Sequence, residues 1–223
     1  MNATIPLPDR RFAAFLFDMD GTLLSSIAAA ERVWAAWARR HGLDVAAFLP
    51  TIHGQRSVET VRRLGLPGVD PQAEADAITR AEMDDVDGIA AIAGAARFVA
   101  GLPADRWAIV TSAPRDLALR RLEAAGLPQP PLMVTAEDVE RGKPAPDCFL
   151  LAARRLGVAI EDCLVFEDAP AGIAAAEAAG ASLVVIGATH AHPMTTPHPL
   201  IRGYDTLRWG ADAQGTLHVR APG

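Results

Sequence analysis

The sequence has few of the features that mark secreted or membrane-spanning proteins. Its two cysteines, Cys148 and Cys163, match no metal-binding spacing, and we interpret them as buried free thiols in a reducing compartment. The longest apolar runs, such as CLVF and SLVVIGA, are too short to cross a bilayer. The N-terminal residues also lack the apolar core of a signal peptide. These absences predict a soluble, cytoplasmic protein.

Positive charge is also scarce. The chain has 21 Lys and Arg against 27 Asp and Glu, a formal net charge of −6, and no basic run. Such a charge balance argues against non-specific binding to nucleic acid or acidic membranes, so we expect neither as a partner.

Half of the residues are hydrophobic, which is enough for a sizeable core. Five short and nearly continuous apolar runs predict strands that are buried on both faces. Helical patterns that end at glycine separate the later strands, so we predict an α/β fold with a doubly wound parallel sheet. The predicted strands are 13–17, 107–110, 132–135, 163–166 and 182–186, and the predicted helices between them are 115–125, 146–156 and 172–179.

The connection after the first strand is too long for one crossover helix. Roughly 70 residues separate Leu24 from Arg97, and they contain three helical patterns. The patterns lie at about 26–41, after the segment HGQR, and at about 71–85. We therefore predict an all-helical domain (25–94) inserted into an α/β core domain (1–24 and 95–223), whose tail carries one late strand (216–220).

Asp18 and Asp20 follow the first predicted strand. Side chains at positions i and i+2 point to the same side of an extended chain, so both carboxylates can face one site. Ligands of open α/β sheets bind outside the carboxyl ends of the strands, where this pair falls. A calcium loop is excluded, because its sixth and twelfth positions would be Leu23 and Ala29 instead of Gly and Glu. The pair therefore indicates a cation or a substrate as its partner.

Polar residues follow two further predicted strands. Thr111, Ser112 and Ala113 precede a helix, where a hydroxyl group and free N–H groups can hold a phosphate. The alternative for these residues is a simple helix cap. Lys143 lies in a short loop bounded by glycine and proline, which restricts the direction of its side chain, although a lone lysine is usually a solvated surface charge.

Glu167 and Asp168 form a second acidic pair after the fourth predicted strand. Each feature alone has a structural explanation, but their occurrence at four strand ends in chain order indicates one site. The segments DMDGT, TS, KP and FEDAPAG together resemble the four motifs of the haloacid-dehalogenase-like hydrolase superfamily. TAEDVERGKPAPDCFLLAARRLG and VFEDAPAGIAAAEAAG resemble, more narrowly, sugar-phosphate and polyol-phosphate phosphatases of the 2-deoxyglucose-6-phosphate and glycerol-phosphate types.

This resemblance implies a Rossmann-like core with a helical cap, and a phosphatase that works through an aspartyl-phosphate on Asp18. It implies that Mg²⁺ is held by Asp18, the backbone carbonyl of Asp20 and Asp168. Glu167 is either a further ligand or an anchor for neighbouring groups, and we favour the anchor. Asp20 is expected to protonate the departing alcohol and then to accept a proton from water.

The resemblance also assigns the residues that bind the phosphoryl group. Lys143 is expected to neutralise the nucleophile and the phosphate. Thr111 and Ser112, with Ala113 beside them, are expected to bind the transferring group. The implied substrate is a small phosphorylated metabolite, a sugar or polyol phosphate, and we expect a monomer or a weak homodimer.

Selection of the substrate is expected to fall to the helical insertion, hinged near 24–25 and 88–94. Its HG-x-R loop resembles loops of the sugar and glycerol phosphatases, and the alternative is a helix-capping loop with solvated charges. The candidate residues are His53, Gly54 and Arg56, with Glu31 as a weaker one.

Three alternatives stay open. A sugar phosphomutase resembling β-phosphoglucomutase shares the four motifs, although the absence of lysine between Gly54 and Lys143 favours a hydrolase. A phosphate-sensing protein on the same fold predicts loss of the nucleophile or the acid, and both are present. A transition-metal site at His190, His192 and His198 is a weak pattern, because no cysteine lies nearby.

Overall fold

The computed structural model describes residues 5–190 and 194–221. Its strands are β1 (Ala14–Phe17), β2 (Leu24–Ser25), β3 (Ala90–Ala91), β4 (Trp107–Val110), β5 (Met133–Val134), β6 (Cys163–Glu167), β7 (Ser182–Ile186), β8 (Leu200–Ile201), β9 (Arg208–Ala211) and β10 (Leu217–Arg220). Its α-helices are α1 (Ile27–Arg40), α2 (Val45–Phe48), α3 (Ser57–Leu64), α4 (Pro71–Asp84), α5 (Ala95–Ala100), α6 (Arg115–Ala124), α7 (Asp147–Leu156) and α8 (Pro170–Ala179). No helix in these ranges is both long and apolar enough to span a membrane.

A parallel sheet lies at the centre of the fold, with six strands within the described ranges in the order β5-β4-β1-β6-β7-β8. The chain leaves β1 and adds β4 on one side, and later adds β6 on the other side. This reversal creates a switch point at the carboxyl end of β1, where open α/β sheets bind ligands. The predicted α/β fold is confirmed.

The sheet is apolar on both faces because hydrophobic residues of β1 alternate between two cores. Phe15 and Phe17 pack in the core that includes residues of α5 and α6, and the Phe17 ring stacks on Phe166 with centroids 4.7 Å apart. Ala14 and Leu16 pack in the core that includes residues of α7 and α8. Burial on both faces explains why the predicted strands read as continuous apolar runs.

A few elements differ from the predictions in their boundaries or were not predicted. β6 extends to Glu167, which pairs with Val185 of β7, so this carboxylate lies within the strand. α8 begins earlier than predicted because Pro170 is well accommodated in the first helical turn. The late strand is found as β10, but its antiparallel partner β9 was not predicted, since its sequence RWGA has no apolar run.

The helical insertion, defined here as α1–α4, has a small core of its own between β2 and β3. Trp34, Trp37, Phe48 and Ile78 are buried within it. The chain leaves and rejoins the sheet domain through the short antiparallel pair β2–β3. This pair lies at the positions predicted as hinges.

Candidate active site

Lys143 bridges two carboxylates, those of Asp18 directly after β1 and of Glu167 at the end of β6. Its Nζ donates hydrogen bonds to Asp18 Oδ1 at 2.6 Å, to Glu167 Oε1 at 2.8 Å and to the Val110 carbonyl at 3.1 Å. Since an ammonium group has three N–H donors, all of them are used. Asp18 is held from the other side, where its backbone N–H donates to the Phe166 carbonyl at 2.9 Å.

The Lys143 ammonium is charged despite its burial. Its side chain is 1% exposed, and it is the only lysine in the sequence. Burial disfavours the charged form, but the carboxylates of Asp18 and Glu167 outweigh burial and raise the pKa of Lys143. A permanent cation therefore lies beside the predicted nucleophile.

Glu167 is held by groups of its own segment as well as by Lys143. Its Oε2 accepts hydrogen bonds from the backbone N–H of Asp168 at 2.6 Å and of Ala169 at 2.7 Å. The first turn of α8 packs directly on it, because a Cβ atom at Gly172 would lie 1.5 Å from Glu167 Oε1. Because both of its carboxylate oxygens accept hydrogen bonds, Glu167 is placed to anchor Lys143 and the segment before α8.

An acidic cluster beside Lys143 is suited to a metal ion. Asp18, Glu167 and Asp168 each offer an oxygen, and these atoms lie within 4.8 Å of one another. Burial raises the pKa of Asp18 to about 7 and that of Asp168 to about 6. Three ionised carboxylates would exceed the charge of Lys143 by two, which a divalent cation with a preference for oxygen ligands offsets. Gly21 is required at this point, since its Cβ would lie 2.0 Å from Asp168 Oδ2.

Asp20 contacts two residues that lie outside the four motifs, Ser26 and Arg121. Its Oδ1 accepts a hydrogen bond from Ser26 Oγ at 2.5 Å and lies 3.0 Å from an Nη of Arg121. Arg121 in turn pairs with Glu82 of α4 at 3.2 Å. The sequence carried a signal for Arg121, which lies four residues after Leu117 on the buried face of α6. A charge at such a position indicates a buried partner.

A cavity of about 80 Å³ lies between the helical insertion and the carboxyl ends of β1 and β4. Thr111 Oγ1 accepts a hydrogen bond from the Ala113 N–H at 3.0 Å, which leaves its O–H free to donate. Ser112 Oγ donates to the Gly54 carbonyl at 3.1 Å, so the hydroxyl links the core to the insertion. The predicted residues that line the cavity are Asp18, Asp20, His53, Gly54, Thr111, Ser112, Ala113 and Asp168.

The other predicted residues of the insertion do not line this cavity. Glu31 stands behind His53, with its Oε1 3.4 Å from His53 Nε2. Arg56 instead donates to the carbonyls of Val139 at 3.2 Å and Glu140 at 2.7 Å, in the loop before Lys143. In this structure Arg56 therefore fastens the insertion to the core.

Two histidines of the weak transition-metal pattern, His190 and His198, lie within the described residues. His190 Nε2 lies 3.9 Å from Asp168 Oδ2, whereas His198 Nε2 lies 2.7 Å from Glu177 Oε1 on α8. His192 lies outside the described residues. The two described histidines thus contact different carboxylates.

Comparison with known proteins identifies the family of this chain. Residues 12–180 match the family model described as haloacid dehalogenase-like hydrolase. The chain belongs to this family. The resemblance predicted from the four motifs is confirmed, and so is the prediction of a hydrolase.

This haloacid dehalogenase-like hydrolase is similar to two phosphatases in sequence and to one solved structure. It is 43% identical to hexitol phosphatase A of Escherichia coli (strain K12), covering 84% of this chain and 87% of that protein. It is 31% identical to glycerol-1-phosphate phosphohydrolase 2 of Saccharomyces cerevisiae, covering 79% and 75% of the two chains. The crystal structure of a hydrolase from Pseudomonas syringae matches with a TM-score of 0.70 and 30% identity, covering 79% of this chain and 84% of that one.

Proposed function

We propose that the protein is a Mg²⁺-dependent phosphatase that hydrolyses monoesters of small sugars or polyols through an aspartyl-phosphate on Asp18. The contact between Lys143 and Asp18 at 2.6 Å, beside the acidic cluster, carries this proposal. An anionic nucleophile reaches an anionic ester only where fixed positive charge offsets their repulsion. The names of the two relatives, phosphatases of hexitol and glycerol phosphates, support this class of substrate.

The reaction divides into two displacements at phosphorus. An oxygen of Asp18 attacks the phosphorus, the bond from phosphorus to the alcohol oxygen breaks, and Asp20 gives a proton to that oxygen. Water then attacks the aspartyl-phosphate and passes a proton to Asp20. This step releases phosphate and restores both aspartates.

The remaining residues bind the phosphate and the ion. Lys143 neutralises charge on Asp18, while Thr111 and the segment at Ser112 and Ala113 donate hydrogen bonds to the phosphoryl oxygens. Asp18, Asp168 and the backbone carbonyl of Asp20 would hold the ion, which would supply charge that offsets the repulsion between nucleophile and ester. Glu167 keeps Lys143 in place.

We also propose that the insertion, predicted as residues 25–94, is a cap that opens at the β2–β3 pair. A cavity of about 80 Å³ is only a few water molecules in size, so a sugar phosphate must enter with the insertion raised. On closure His53 would contact the substrate, and Glu31 would orient its ring. We further propose a cytoplasmic protein that is a monomer or a weak homodimer.

Phosphate release from p-nitrophenyl phosphate, followed by a panel of hexitol, glycerol and sugar phosphates, tests the proposal. We expect hydrolysis that requires Mg²⁺ and is abolished by EDTA and by Asp18→Asn. No release from any ester, or an active Asp18→Asn variant, would contradict the proposal. Conversion of a sugar 1-phosphate to its 6-phosphate without net release would instead assign a phosphomutase.

A further inference from the structure

A buried chain of charges joins the helical insertion to Asp20. Arg121 is 6% exposed, and its two Nη atoms lie 3.0 Å from Asp20 Oδ1 and 3.2 Å from Glu82 Oε1. Glu82, on α4 of the insertion, is also buried, at 5% exposure. Burying a charge costs free energy unless an opposite charge lies beside it. Losing one of these buried partners therefore costs more than losing a surface ion pair.

The contacts on Asp20 fix the orientation of its carboxylate. The terminal torsion of an aspartate side chain is broad, so an unbound carboxylate turns easily. Here Ser26 and Arg121 both contact Oδ1, from the start of α1 and from α6 respectively. Holding Oδ1 in this way leaves Oδ2 to meet the alcohol oxygen of the substrate.

We infer that Arg121 is a positioning residue that orients Asp20 for proton transfer. We infer also that, through Glu82, this orientation depends on the insertion being docked on the core. The inference rests on the proposed function, because it takes Asp20 as the acid. Arg121 belongs to the core and Glu82 to the insertion, so raising the insertion removes one of the two partners of Arg121. Asp20 is then fully oriented only when the site is closed.

Substrates with different leaving groups distinguish a positioning role of Arg121 from a merely structural role. p-Nitrophenolate departs without a proton, whereas the alkoxide of a polyol requires one. kcat/KM reports transition-state stabilisation relative to free enzyme and substrate. We expect Arg121→Met to lower kcat/KM for a hexitol monophosphate at least about tenfold more than for p-nitrophenyl phosphate, since a positioned acid contributes ~10²–10⁴ in rate.

Two further variants test the geometry. Arg121→Lys keeps a cation near Asp20 and is expected to recover part of the activity on the hexitol ester. Arg120→Met is the matched control, because Arg120 lies next to Arg121 on α6 but is 41% exposed and pairs with Glu123 at the surface. It should leave the ratio of the two kcat/KM values as in the wild type, and thermal unfolding of each variant checks its fold.

The outcomes distinguish the inference from the proposed function. Equal losses of Arg121→Met on both esters, or a loss confined to KM, would overturn the positioning role while the wild type remains a phosphatase. If the wild-type protein hydrolyses neither ester with Mg²⁺, the proposed function itself fails. A selective loss on the hexitol ester that Arg121→Lys partly reverses supports the inference.

Discussion

Lys143 Nζ donates to Asp18 Oδ1 at 2.6 Å across 125 residues of chain, and the same ammonium binds Glu167. Removing it leaves two carboxylates buried together without their shared cation. We expect Lys143→Met to lose about 3–5 kcal/mol of unfolding free energy, as for broken buried ion pairs. Urea denaturation measures this loss.

The same variant should also lose activity, by at least about 10²-fold, because a fixed charge beside the nucleophile is gone. Asp18→Asn provides the contrast. It should be inactive yet keep most of its stability, since a neutral amide replaces a carboxylate that burial disfavours. A stable Lys143→Met protein would contradict the account of the ion pair.

Gly172→Ala should displace Glu167, because the new Cβ would lie 1.5 Å from Glu167 Oε1. We expect a loss of about 1–3 kcal/mol in stability, as for overpacked cores, together with lower activity as Lys143 loses a partner. Combining it with Glu167→Asp, which shortens the carboxylate side chain, should restore part of the stability. If the double variant recovers no stability, the loss in Gly172→Ala does not come from a clash with Glu167.

In the metal-free protein, Asp18 and Asp168 should contribute more to stability as the pH falls from about 7 towards 4. Burial raises the pKa of Asp18 to about 7 and that of Asp168 to about 6, from 3.8. The folded state thus binds more protons than the unfolded one, and this contribution to stability is lost as the pH rises through these values. Mg²⁺ competes with the protons, so its thermal stabilisation should be larger near pH 7.5 than near pH 5.5, by roughly several degrees. Thermal unfolding with Mg²⁺ and with EDTA at both pH values measures this, and equal Mg²⁺ shifts would argue against binding at the acidic cluster.

Arg56→Ala tests whether Arg56 docks the insertion or grips the substrate. Its hydrogen bonds to Val139 and Glu140 favour docking, so kcat/KM should fall by a similar factor, about five- to tenfold, on polyol and aryl esters. Proteolysis of the insertion should also become faster. Arg62→Ala is the control, since Arg62 is an exposed arginine on α3, the helix that follows Arg56 directly. A loss on polyol esters alone would favour the sequence-based prediction of a substrate contact.

The sheet and the residues at its strand ends could be predicted because their signals are local. An apolar run that ends in charged residues identifies both a buried strand and its functional end, as at Asp18 and Asp168. The parallel order then brings these ends together without any knowledge of side-chain packing. The lysine was predictable for a similar reason, since its short loop leaves it few directions.

The partners of Asp20 and the direction of Arg56 could not be predicted in the same way. They depend on how α6 and the helices of the insertion pack against one another, which no local pattern specifies. Arg121 and Glu82 each occupy the buried face of an amphipathic helix, so the sequence marks them as unusual. It does not reveal that they meet.

Lys143 is the only lysine of the chain, and it is almost fully buried. All other side-chain positive charge is on arginine, so the folded protein offers amine-reactive reagents almost nothing beyond a terminal amine. Acylation of this single side chain requires the proposed active site to open. A lysine-directed label would therefore report the opening of this one site, without any engineered probe.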